Sequence, residues 1–165
     1  MMRKKYIIIT LLIGFFISFL NFTTFSTETY KCMIQMTNYN GEGAYVAVSV
    51  LDSKNNYVET LKLFGDDDEW YKGLEAWYPY YKKNKRIVNV DAISGETLSG
   101  GERATFQLKI PQKYLDKNYQ LRFETAVEEQ SYKKNDVLIV PLNAKNLNGK
   151  YNGSGYIRYV RLAKS

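Results

Sequence analysis

The chain has 165 residues, a formal net charge of +6 and no histidine, which suits one domain and removes the Ser-His and Cys-His triads and every imidazole metal ligand. Arg3, Lys4 and Lys5 sit ahead of an apolar run, so the remainder is +3, a balance too mild to argue for nucleic acid.

Met1 to Lys5 is short and basic, Ile7 to Leu20 is apolar without interruption, and a polar stretch follows from Asn21 to Glu28. That is the order of a secretory signal. The apolar run is short of the about 20 residues of a spanning helix. Residues 1–26 therefore read as a signal peptide, cleaved near Ser26, or as an uncleaved N-terminal anchor. Residues 27–165 read as one exported domain, placed in the periplasm or elsewhere outside the cytoplasm. Nucleotide pools are scarce there, and no P-loop or G-x-G-x-x-G pattern contradicts the exclusion of kinase, ATPase and NAD enzymes.

The domain then reads as strands. Tyr30 to Tyr39 alternates, with Tyr30, Cys32, Ile34 and Met36 on one side. Cys32 is alone, so no intrachain disulfide forms, and its place on that side predicts a buried small hydrophobe. Ala44 to Leu51 is valine-rich and reads as a more buried central strand. Asp52 to Asn56 is a turn and Tyr57 to Phe64 the returning strand of a hairpin. Gly65-Asp66-Asp67-Asp68-Glu69 suits a capped helix start, with Asp66 or Asp67 accepting from free amides. The spacing of Trp70, Leu74, Trp77 and Tyr81 predicts one helix, which Pro79 limits to a few turns. Its aromatic stripe reads first as core packing, with some rings left exposed beside the next segment. Lys82-Lys83-Asn84-Lys85-Arg86 is a solvated loop or a contact for an anionic surface.

Arg86 to Ala92 reads as a short strand, and the loop 93–102 follows. Arg103 to Ile110, Tyr119 to Val127, Val137 to Leu142 and Tyr156 to Leu162 complete about eight strands, with Asn146 to Gly155 as a loop. Short strands with one inserted helix predict a mainly β fold, a single antiparallel β-sandwich of immunoglobulin-like architecture.

Two patterns resemble known ones. A strand pair, then Trp70-(x)3-Leu74-(x)2-Trp77-Tyr78, then Val90-Asp91-Ala92-Ile93-Ser94-Gly95-Glu96-Thr97 resembles the bacterial predicted periplasmic proteins of domain-of-unknown-function family 2271, over about residues 30–142. That resemblance implies an exported module keeping company with inner-membrane PepSY-type redox proteins and the enzyme that attaches FMN to proteins. The segment from Asp91 also resembles the motif of proteins that carry FMN through a phosphoester. Asp91, Ser94, Gly95 and Thr97 match it, and Glu96 replaces its alanine. The resemblance implies Thr97 as acceptor of a covalent FMN, with Asp91, Ser94 and Gly95 positioning it. Trp70, Trp77 and Tyr80 are the rings on which a flavin would stack, and Lys82 to Arg86 the neighbours of its phosphate. The protein would then be an electron carrier and no turnover enzyme.

Two other readings stay open. Residues 94–97 also form an ordinary turn capped by Asp91 and Ser94, in a sandwich that binds a partner without a cofactor. Asp91 with Glu96 or Glu102 is a carboxylate pair that needs a cleft before it means hydrolysis.

Overall fold

A computed structural model describes residues 26–85, 88–89 and 93–165. The strands are β1 (Thr27–Met36), β2 (Ala44–Leu51), β3 (Tyr57–Phe64), β4 (Arg103–Pro111), β5 (Gln120–Val127), β6 (Val137–Pro141), β7 (Lys150–Asn152) and β8 (Ile157–Lys164). They form two four-stranded antiparallel sheets, ordered β4-β1-β8-β7 and β3-β2-β5-β6. The likeness to an immunoglobulin sandwich is one of layers. The connectivity has its own order, with the first and last strands paired at the centre of the first sheet.

Period-two alternation decides which face each strand buries. Cys32, Ile34 and Met36 of β1 meet Val46, Val48 and Val50 of β2 between the sheets, together with Phe123, Val140 and Val160. Each such side chain contributes about 1.5–3 kcal/mol on leaving water. Cys32 is fully buried in this layer, as its alternation predicts.

All eight residues of β2 are buried, because both faces of this strand are covered. Ala44, Val46, Val48 and Val50 enter the core between the sheets, while Tyr45 and Ala47 enter a second apolar cluster outside. The polypeptide from Trp70 to Asn84 supplies that outer cover. The β2–β3 hairpin closes as expected: Asp52 Oδ1 accepts from the amides of Lys54 at 2.8 Å and Asn56 at 2.9 Å. Asn55 takes a left-handed conformation there, φ 63°.

Two expectations change, and a third lies mostly outside the described residues. The helix expected from Trp70 to Tyr81 is a 3-10 turn over Trp70–Gly73, a bend, and a short helix α1 (Tyr78–Asn84). Proline lacks an N–H and tolerates only the first turn, so Pro79 starts α1 instead of ending a longer helix. Asn146 to Gly155, read as loop, contains a 3-10 turn over Asn146–Asn148 and the three-residue β7, held at the sheet edge by pairing with β8. The strand expected over residues 86–92 falls mostly outside the described residues, and Val88 and Asn89 have no regular structure.

Candidate functional site

The outer layer begins where β3 ends. Gly65 holds φ +100°, and a Cβ there would collide with the Tyr45 ring, so only glycine lets the chain leave the sheet so closely. Asp67 Oδ1 accepts from the Glu69 amide at 3.0 Å just ahead of the 3-10 turn, which has no side-chain cap of its own. The two parts of the helical segment are pinned by Glu124 of β5, which is fully buried. Its Oε1 accepts from the amides of Ala76 at 2.9 Å and Trp77 at 3.3 Å, the free donors at the start of α1. Its Oε2 accepts from Arg122 Nε at 3.0 Å and from the Tyr57 hydroxyl at 2.5 Å. A carboxylate so satisfied is a structural clamp.

Trp77 is wholly inside this layer. Its indole N–H donates to Thr60 Oγ1 at 2.9 Å, the Tyr81 ring lies nearly parallel at 4.9 Å, and Tyr71 meets it edge-on at 5.5 Å. Tyr80 is half-buried, stacked on Tyr57 at 5.6 Å. Trp70 is also half-buried, and it is the tryptophan with a face toward solvent.

The loop from Ile93 to Glu102 docks on the same end of the second sheet. Leu98 pairs with Ala44 as an isolated antiparallel bridge, continuing the line that β3 leaves at Phe64. Gly65 N donates to Gly95 O at 2.6 Å and Lys62 Nζ to Ser94 O at 3.1 Å. Burial holds the Lys62 ammonium below the usual lysine range. The Tyr39 hydroxyl donates to Leu98 O, and Ser99 N donates to Glu102 Oε2 at 2.7 Å. Leu98 enters the core between the sheets, and Thr97 stands half-buried against Gly43, where a Cβ would collide with its side chain. Glu96 is exposed beside it. Asp91 lies outside the described residues.

Between the helical layer and the end of β5 lies a recess of about 230 Å³, walled by Tyr45, Trp70, Gly73, Ala126 and Val127, with Lys72 and Glu128 to Gln130 around it. Lys72 Nζ sits 5.4 Å from the Trp70 ring centre. Burial and the adjacent Glu128 carboxylate push the Tyr45 hydroxyl up, keeping it a neutral donor. Glu129 adopts φ 58°, a left-handed conformation uncommon for residues other than glycine.

The structure thus brings Ser94, Gly95 and Thr97 to one end of the sheet, with Trp70 reached from them through Gly65 and Tyr45. It sends Trp77 into the packing. Tyr45, Glu124 and Ala126 did not stand out in the sequence as site residues. The signal was there in part: Tyr45 lies on the second face of a strand apolar on both, and Arg122 and Glu124 share one face of β5.

Among the described residues no group of three or more Cys, Asp or Glu is placed to hold a metal ion, and no helix is long and apolar enough to cross a membrane. A family model described as a predicted periplasmic protein (DUF2271) matches residues 27–159. No curated protein and no solved structure matches the chain.

Proposed function

Because the chain belongs to this family of predicted periplasmic proteins, we propose that it is an extracytoplasmic, non-enzymatic binding module of a membrane redox system. Its working surface is the end of the second sheet where Tyr45, Trp70 and the end of β5 meet. The observation that carries this is the recess beside Trp70. Its about 230 Å³ falls below the roughly 300 Å³ at which pockets for whole small ligands begin, so it suits one apolar or aromatic side chain of a partner. The redox setting rests on the company the family keeps, inner-membrane PepSY-type proteins and the FMN-attaching enzyme. N-terminal residues 1–26 would deliver the domain, as a signal or as an anchor.

The test is a photo-crosslinking residue placed at Gln130, on the rim, in the living cell envelope. An adduct to an inner-membrane redox protein, lost on Trp70→Ala, is expected. Adducts that persist in Trp70→Ala, or a rim that captures no such protein, would sink the proposal.

A second reading, a carrier of covalent FMN, is favoured by the placement of Thr97, half-exposed on a loop anchored on both sides. The fit of the group is partial. Trp70 and Tyr45 supply a wall for a flavin edge, whereas Trp77 is enclosed and Glu96 sets a negative charge beside an incoming phosphate. Coexpression with the FMN-attaching enzyme and intact mass measurement decides it. An FMN adduct abolished by Thr97→Ala is the expected result; an unmodified mass ends this reading.

A further inference from the structure

The outer face of the first sheet carries cations and no anions. Alternation in β1 turns Cys32 and Ile34 into the core and leaves Lys31 and Met33 outside, with Gln35 on the same face but covered, its amide donating to the Gly101 and Glu102 carbonyls. The register sets Gln107, Thr105 and Arg103 beside them on β4, and Ala163, Arg161 and Tyr159 on β8. Lys109 continues the β4 row opposite Thr29, and Lys150 of β7 stands opposite Arg161. Lys31, Arg103, Lys109, Lys150 and Arg161 therefore share one face, and all five are exposed.

No Asp or Glu stands in these rows. The ion pairs found among the described residues use other cations, Lys85, Lys113, Arg122 and Lys164. Glu28, next along β1, turns to the other side and is engaged by the Tyr30 hydroxyl and Lys164. Arg103 donates instead to Gln35 Oε1 at 2.9 Å, and Lys150 lies 4.2 Å from the Tyr159 ring centre, so both cations are held along the sheet. The five charges exceed the +3 left to the chain once Arg3, Lys4 and Lys5 are set aside from its +6, so the other residues of the chain are net acidic by two.

Strands about 4.8 Å apart and outward positions about 6.6 Å apart along each strand make this an open grid, on which Lys150 and Arg161 stand one strand apart, Lys31 lies about one Debye length (about 8 Å) from Lys109 and from Arg161, and Arg103 stands farther off. An open sheet face matches a planar array of phosphates better than a single threaded polyanion, which calls for a groove. Met33, Tyr159 and Ala163 lie between the cations and offer shallow apolar contact of the kind found at a lipid headgroup layer. We propose that this face docks the domain on an anionic phospholipid surface, leaving the recess on the opposite side of the sandwich free. The proposal stands whether or not the recess binds a partner.

The full chain is mixed with vesicles rich in phosphatidylglycerol or made only of phosphatidylcholine, and lysine labelling is read by mass spectrometry. Anionic vesicles should protect Lys31, Lys109 and Lys150 and leave Lys82 and Lys83 on the outer helical layer reactive. The triple change Lys31→Gln, Lys109→Gln, Arg161→Gln should weaken binding roughly 100-fold, from about fivefold per cation. The same charge removed as Lys54→Gln, Lys82→Gln, Lys83→Gln should leave it unchanged, and the basic leader, common to all variants, cancels. Circular dichroism confirms that both variants fold. Equal binding to neutral vesicles, protection on the helical layer, or an unaffected first variant overturns the proposal. Capture by a soluble polyanion such as heparin, without vesicle binding, overturns it too and assigns the face to a glycan.

Discussion

Individual residues in this domain are constrained most where a polar group is enclosed. Asp136 is 3% exposed, and its carboxylate accepts from the Lys133 amide at 3.0 Å. Burial, the largest influence, raises its carboxyl above the ordinary 3.8, while backbone hydrogen bonds from Lys133 and Tyr156 pull the other way. The unfolded chain therefore ionises first as pH rises. The stability that the protonated carboxyl supplies is complete below 3.8 and is lost as pH passes through the folded value. Asp136→Asn, which stays neutral, should show its melting temperature gaining on the wild type as pH rises from acid to neutral. A difference that does not vary with pH would refute this. Thr97 and Gly95 could be singled out from residue type alone. That Gly43 must lack a Cβ to let Thr97 close could not, because the two are distant in the chain and meet through the Ala44–Leu98 bridge.

At the scale of elements, the helical layer depends on a strand. Glu124 serves as the cap that α1 lacks in its own sequence, since the side chain of Trp77 at the cap position makes no capping bond. Glu124→Ala strands Arg122 and the two amides in a buried site, and should cost about 3–5 kcal/mol by denaturant unfolding. Glu124→Gln keeps an acceptor of the same shape and should cost less. Hydrogen exchange should rise first across residues 76–84 in both; uniform loosening of all strands would show that the clamp acts elsewhere. The spacing of Leu74, Trp77 and Tyr81 was legible as one apolar stripe, and all three are buried. The break between the 3-10 turn and α1 was less so, because by residue type Pro79 can follow the end of one helix or open the first turn of another. Only the position of Glu124 decides that the helix starts there.

For the whole molecule, Cys32 reports on the packing of the two sheets. It is fully exposed only if β1 parts from both β4 and β8 or the sheets separate, and its thiol is pushed far above the usual range by burial. Labelling of Cys32 by a thiol reagent should therefore follow global unfolding, with its protection falling in step with the circular dichroism melt. Fast labelling under native conditions would mean that the sandwich opens locally. The strands β1 to β6 and β8, the hairpin at Asp52 to Asn56, the buried thiol and the antiparallel two-sheet architecture were determined by the sequence itself, because period-two burial and turn chemistry act between near neighbours. Which strands pair, and so that Lys31, Arg103, Lys109, Lys150 and Arg161 fall on one face, was decided by tertiary structure alone. So was the fate of the two tryptophans: both carry the same residue chemistry, but the clamp of Glu124 and the stacked Tyr81 enclose Trp77, while the turn at Gly65 leaves Trp70 on the recess. Burial of a ring depends on what the rest of the chain brings over it, and that is a property of register and connectivity, which no local pattern contains.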